Sequence, residues 1–207
     1  MDSPRVSAGI ILCAGLSTRM KDFKPLLPMD KGLTLIECTI DSMIRGGIDH
    51  IVLVVGHRGK DIEQVILHRN YPFVLTAYNP RYADSDMMES LRIGISRAVT
   101  WPLESVFVLP GDMPKIHPQT YTALLREMRL HPCKVVIPSY RGMSAHPPLI
   151  HAACLDYLLN EFDGGGGLKA ALNAFLPETV FLPVDDRGCT LDADYPDDYK
   201  HLLNYKE

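Results

Sequence analysis

Short, unbroken apolar runs, each followed by a stretch of helical periodicity, set the tightest limit on what this chain can fold into. The runs fall at Ser7–Cys13, Ile51–Val55, Phe73–Ala77, Val106–Leu109 and Lys134–Pro138. A strand with one wet face alternates polar and apolar residues, whereas a continuous Val, Ile and Leu run suits a strand covered on both faces. The stretches Thr34–Arg45, Gly59–Arg69, Met88–Val99 and Pro118–His131 read as helices, the last opening on a proline that fits a first turn. Strand and helix in regular alternation imply right-handed crossovers and a doubly wound, mostly parallel sheet: a three-layer α/β/α, Rossmann-like architecture. At 207 residues the expectation is a single domain, 1–207.

After Pro138 the rhythm changes. Tyr140–Pro148 is rich in Gly, His and Pro, and two further helical candidates, Ala153–Glu161 and Leu168–Phe175, meet at the glycine run Gly164–Gly167. Four glycines together cannot form a helix interior and are expected to make a mobile loop.

Composition excludes several classes of function. With 21 basic and 25 acidic residues the formal charge is -4, which gives no electrostatic reason to coat nucleic acid or a membrane surface. Five cysteines (Cys13, Cys38, Cys133, Cys154, Cys189), without a CxxC pair, argue against a disulfide framework and a zinc cage, so a reducing cytoplasm is expected. The N-terminus has no basic segment leading into a long apolar one, and no run is long enough to span a bilayer.

The first strand runs into Leu12, Cys13, Ala14, Gly15, Leu16, Ser17, Thr18, Arg19, Met20, Lys21, Asp22, Phe23 and Lys24. Open α/β sheets bind ligands in loops at the carboxyl ends of their strands. Small residues at Ala14 and Gly15 let backbone N–H groups approach phosphate oxygens, and Arg19 and Lys24 supply charge to neutralise them. The spacing matches neither GxxxxGK[ST] nor GxGxxG, so the P-loop and dinucleotide readings fail at the level of spacing. A second strand ends in Pro110, Gly111, Asp112, Met113 and Pro114, where the aspartate reads equally as a turn former or as a ligand for Mg²⁺. Near the C-terminus Asp192 and Asp194 alternate along an extended segment, so both can face one cation. Asp197 and Asp198 then open a final helix, where acidic side chains favour the positive end of the dipole.

The ordered set Gly15, Ser17, Arg19, Met20, Lys24 resembles the opening LAAGxSxRMGxxK of the molybdenum-cofactor nucleotidyltransferases, with Cys13 in place of the usual Ala and Lys21 in place of the usual Gly. GlyAspMetPro at 111–114 resembles that family's metal-binding turn, and ThrLeuAspAlaAspTyrProAspAsp resembles its DIDTPED segment. The resemblance implies nucleotide contacts from Leu12, Cys13, Ala14, Gly15, Ser17, Arg19, Lys24, Asn79, Ser90 and Asp112. It implies a catalytic role for Lys24, Arg19 and Asp112, and Mg²⁺ held by Asp112 and Asp194 with Asp192 beside them. His57 falls in the same implied region as Asn79 and Ser90. Gly142–Pro148 resembles a GxRGHP segment in which Ser144 replaces Arg, so that His146, with Lys169 after the glycine run, is expected on the acceptor side.

By the same resemblance the chain divides into a nucleotide-binding half, about 1–115, and an acceptor half, about 116–207. The implied reaction moves a nucleoside monophosphate from an NTP onto the phosphate of molybdenum-loaded molybdopterin. Ala14 before the last loop glycine is similar to the cytidylyl branch and favours CTP, and GTP or a sugar-phosphate acceptor is the nearest alternative. The implied partners are CTP, the phosphorylated acceptor, and a receiving molybdoenzyme or its chaperone. A nucleotide sensor without turnover is a further alternative, opposed by the retained Asp112, Asp192 and Asp194.

Overall fold

The structure, a computed structural model, describes residues 5–20, 22–48 and 50–205. Five strands follow the expected runs: β1 (Val6–Cys13), β2 (His50–Val55), β3 (Val74–Tyr78), β4 (Leu103–Pro110) and β5 (Val135–Tyr140). Helices α1 (Leu35–Arg45), α2 (Gly59–Arg69), α3 (Met87–Ala98) and α4 (Pro118–Leu130) alternate with them, so each expected boundary lies within three residues of the observed one. The α1 start is fixed by Glu37, whose carboxylate accepts from the Thr34 N–H at 2.7 Å and hydroxyl at 2.6 Å. At α3 the Asp86 side chain accepts from the Glu89 N–H and caps the helix.

The sheet order is β3-β2-β1-β4-β7-β5-β6, with β8 on the other side of β5. β1, β2, β3 and β4 are mutually parallel, whereas β7 (Leu149–His151) runs antiparallel between β4 and β5. β6 (Met143–Ser144) pairs antiparallel with β5, and β8 (Thr179–Pro183) parallel with it. These three strands have no counterpart in the expected set. β6 is short and lies in the Gly- and Pro-rich stretch, β7 is a three-residue strand directly after it, and β8 follows a proline-containing 3₁₀ turn, so none presents a long apolar run.

Burial explains the unbroken runs. Along β1, Ala8 and Ile10 face one helical layer while Ile11 and Cys13 face the other, and Val52 and Val54 in β2 likewise oppose Ile51, Leu53 and Val55. α1 and α4 pack on the first face through Ile36, Ile40, Met43, Tyr121 and Leu124. α3 and the later helix α5 (Gly167–Leu172) pack on the second through Leu91, Ile95, Leu168 and Ala171. Each such aliphatic side chain contributes about 1.5–3 kcal/mol on full burial.

The region 152–161 departs from the expected helix. A 3₁₀ turn (Ala152–Cys154) leads into a π-helical turn (Tyr157–Glu161), where the Arg92 guanidinium donates to the Leu158 carbonyl at 3.2 Å and also to the Phe162 carbonyl. The glycine run is not a helix interior: φ is positive at Gly164, Gly166 and Gly167, and Gly167 opens α5. The final helix α6 (Pro196–Asn204) starts with the acidic pair Asp197 and Asp198. Among the described residues no helix is long and apolar enough to cross a membrane.

Gly94 lets α3 lie directly on the sheet: a Cβ there would stand 2.5 Å from Ile10 Cγ2 and 2.9 Å from Val54 Cγ2. Gly94→Leu is therefore expected to destabilise the fold by about 1–3 kcal/mol through overpacking, read by urea denaturation. Unchanged stability would mean that α3 does not need this close approach.

Candidate active site

β1 and β4 are neighbours, so the loops leaving their carboxyl ends meet. The β1 loop turns at Ser17, whose φ of 54° is left-handed for a non-glycine residue, and the Ser17 hydroxyl accepts from the Lys24 N–H at 3.3 Å. Gly111 follows β4 closely against this loop, for a Cβ there would lie 2.3 Å from Cys13 Sγ. Cys13, which departs from the resembled motif, thus fits because its partner position has no side chain. Its thiol is pushed well above the ordinary value, first by burial and then by the Asp112 charge, and so stays neutral. The other departure, Lys21, lies outside the described residues.

Between the two loops is a cavity of ≈ 260 Å³ whose lining includes Gly15, Ser17, Arg19, Lys24 and Asp112. Leu12 and Cys13 also line it, whereas Ala14 is buried and its carbonyl accepts from the His57 N–H. The Lys24 ammonium donates to Asp112 Oδ2 at 3.1 Å and to Asp194 Oδ1 at 2.6 Å. Arg19 donates to Asp194 Oδ2 at 2.5 Å, with its guanidinium 5.5 Å from the centre of the Tyr195 ring. Burial works against the charged form of Lys24, but the bonds and charges of Asp194 and Asp112 outweigh it and raise its pKa. The Asp194 carboxyl is lowered, chiefly by the Lys24 hydrogen bond against a smaller effect of burial. Asp192 is shifted the other way, upward, by burial and then by the charges of Asp112, Asp194 and Asp198.

Ala193 points into the core against Leu35 and Leu202, which turns its two aspartate neighbours to the opposite side, as alternation requires. Asp112 Oδ1 is buried and has no hydrogen-bond partner among the described residues. An unsatisfied buried acceptor costs about 1–3 kcal/mol or more, so a carboxylate oxygen in this position fits a cationic ligand. Asp112 and Asp194 are the oxygen donors that could hold a divalent ion. The expected trio with Asp192 is not assembled: among the described residues no three such side chains form a metal cage.

Asn79 and Ser90 require a correction. Asn79 is completely buried, and its amide nitrogen donates to the hydroxyls of Ser85 at 3.0 Å and Ser90 at 2.9 Å. Its oxygen accepts from the Arg81 N–H at 2.9 Å. Both side chains are thereby committed to bracing the loop after β3 and do not present a polar atom for base or ribose. Their proximity was legible, but their direction depends on packing.

A second cavity of ≈ 360 Å³ adjoins the first at Leu12 and Pro110, and its lining includes Ser144, His146 and Lys169. The structure therefore brings both acceptor-side candidates to one place. Burial, opposed by the Asp112 charge, lowers the His146 pKa, so the imidazole is neutral at pH 7.

Sequence reasoning missed Asp186. Almost wholly buried, its carboxylate accepts from the His117 N–H at 2.9 Å, the Thr120 hydroxyl at 2.7 Å and the Gly188 N–H at 2.8 Å. A Cβ at Gly188 would stand 1.9 Å from the Lys115 carbonyl oxygen, so this segment lies hard against the chain that follows Asp112. The Cys189 carbonyl in turn accepts from the His146 N–H at 3.0 Å. One carboxylate thus sets the Asp112 loop, the Asp194 segment and His146 relative to one another. Its only sequence signal is Asp two residues before Gly, which an ordinary surface turn shares.

Charged carboxylates, a cation between them and an open glycine loop at a strand end define a phosphate-handling site on a three-layer α/β fold. Residues 9–180 match the MobA-like NTP transferase domain, and the chain belongs to that family of nucleotidyltransferases. It is 26% identical over 190 residues, 92% of each chain, to the molybdenum cofactor cytidylyltransferase of Escherichia coli strain K12. A probable molybdenum cofactor guanylyltransferase of Natranaerobius thermophilus is 27% identical over 65% of this chain and 61% of its own. In fold the chain is similar to a nucleotidyl transferase from Methanothermobacter thermautotroptrophicus, with TM-score 0.80 and 21% identity over 97% of both chains.

Asp186→Ala is expected to lower stability by about 1–3 kcal/mol or more, since its three donors and the Cys189 thiol, which donates at 3.4 Å, lose their buried acceptor, as checked by urea denaturation. Lys24→Met removes the largest cause of the lowered Asp194 pKa. The Asp194 carboxyl should then titrate at higher pH than in the wild type, as followed by carboxyl carbon NMR.

Proposed function

We propose that the protein transfers CMP from CTP to the phosphate of molybdenum-loaded molybdopterin, releasing pyrophosphate, with Mg²⁺ as its divalent cation and the cytoplasm as its compartment. The observation that carries this reading is the Lys24 ammonium held between Asp112 and Asp194, with the unpartnered Asp112 Oδ1 beside it, at the mouth of the β1 loop. The relative named as a cytidylyltransferase spans almost the whole chain and supports CTP, as does Ala14 in the loop.

The reaction requires no nucleophile from the protein. An oxygen of the acceptor phosphate forms a bond to the α-phosphorus of CTP while the bond from that phosphorus to the α,β-bridging oxygen breaks, and pyrophosphate leaves with the electron pair. Backbone N–H groups of the Ala14–Ser17 turn approach the phosphates, and Lys24 and Arg19 shift their donors from carboxylate to phosphate oxygens. They then stabilise the charge that builds as the leaving bond lengthens. Asp112 and Asp194 would hold Mg²⁺, with Asp192 adding negative charge nearby; bound there, the ion would supply positive charge to the reacting phosphates. The neutral His146 and the Lys169 ammonium line the cavity assigned to the acceptor, Lys169 meeting its phosphate. Residues 1–115 thereby form the nucleotide half and 116–207 the acceptor half, and the product passes to a molybdoenzyme or its chaperone.

Pyrophosphate release with Mg²⁺, tested with CTP and with GTP and with and without molybdenum-loaded molybdopterin, is expected to be CTP-selective and acceptor-dependent. GTP-selective release would move the reading to a guanylyltransferase, and no release with either nucleotide would overturn it in favour of a sugar-phosphate acceptor or a nucleotide sensor without turnover. Lys24→Ala and Asp112→Ala are each expected to slow turnover by about 10²-fold or more, as for loss of one preorganised charge stabiliser. Near wild-type turnover in Asp112→Ala would sink the metal assignment.

A further inference from the structure

The end of the sheet opposite the catalytic loops carries positive charge for which nucleotidyl transfer has no use. Arg5 stands just before β1, Arg45 ends α1, and Arg126 and Arg129 lie on α4. All four line one cleft of ≈ 670 Å³, together with Gly46 and Gly47, and among the described residues no carboxylate lines it. Arg129 is already engaged by Glu104 at 2.9 Å, and Arg45 gives its Nε to the Asp41 carbonyl at 3.2 Å. Among the described residues Arg5 and Arg126 have neither a hydrogen-bond nor an ion-pair partner.

Single exposed arginines need no explanation, but this convergence does. Like charges one turn apart on a helix repel, and Arg126 and Arg129 hold that spacing. The chain has 25 acidic residues and a formal charge of -4, yet none of its carboxylates lines this cleft among the described residues. Guanidinium groups offer paired N–H donors that match phosphate oxygens, and here they come from three separate elements around a concave surface. A cleft of ≈ 670 Å³ lies in the size range of small-ligand pockets, whereas a protein partner would need a broad face of about 800 Å². The eight residues of β1 separate it from the catalytic loop by roughly 26 Å at about 3.3 Å per residue, too far for one nucleotide to bridge.

We propose that this cleft is a second, non-catalytic anion site that binds a compact, multiply charged phosphate ligand of the pyrophosphate or nucleotide-phosphate class. The proposal stands independently of which nucleotide and acceptor the catalytic site uses. Its test is calorimetric titration of inorganic pyrophosphate, inorganic phosphate and CTP, in the presence of EDTA, into a Lys24→Gln variant whose catalytic loop is impaired. At least one of the three is expected to bind, and the order of affinities identifies the source of the phosphate. Adding Arg45→Gln and Arg126→Gln in that background is expected to weaken binding about tenfold or more, while the same pair in the wild-type background leaves pyrophosphate release unchanged. The Arg45 and Arg126 side chains are exposed, and circular dichroism checks that all the variants are folded. Equal affinity with and without the two arginines, or no binding of any of the three anions to Lys24→Gln, would overturn the site. So would arginine-dependent binding of a polyglutamate peptide without binding of the phosphates.

Discussion

The Lys24 ammonium lies between two carboxylates that the chain delivers from positions 88 and 170 residues away. In low dielectric a lysine so placed needs negative partners, and two adjacent carboxylates need a cation, so each makes the burial of the other tolerable. Much of the fold can be understood as what brings these three groups together. β1 must lie beside β4 for Lys24 to meet Asp112, and the C-terminal segment must return across the carboxyl edge for Asp194 to reach either. Asp186 secures that return by holding the chain before Asp192 to the start of α4.

The same arrangement is suited to exchange. Lys24 and Arg19 hold carboxylates through contacts that phosphate oxygens can replace, and Asp112 keeps one buried oxygen without a partner among the described residues. Triphosphate and cation can thus take up bonds that the protein's own charges make to one another, with little movement of the backbone. The β1 loop is held in shape from below by the Ser17 hydroxyl and by the close passage of Gly111 over Cys13.

Several parts of the site were legible because their chemistry is local. The β1 loop could be found from small and basic residues directly after an apolar run, and Asp112 from its place after another. The alternation of Asp192 and Asp194 around the buried Ala193 was likewise legible. Asn79 and Ser90 were found as polar residues at the right end of the sheet, but whether such a residue faces a ligand or braces its own loop depends on neighbours that the sequence does not order in space. β6, β7 and β8 escaped detection because a two- to five-residue strand is stabilised by its sheet partners rather than by its own pattern.

By itself, then, the amino-acid sequence determined the alternating elements, the two-sided burial of the central strands and the chemical identity of the charged loop, because periodicity, strand-end position and side-chain type are local properties. Only the tertiary structure decided that Lys24 joins Asp112 to Asp194, that Asp186 is buried and not a surface turn, and that arginines from three elements share one cleft. Those outcomes depend on distances between residues far apart in the chain, which are fixed when the sheet closes its order and the helices settle on its two faces.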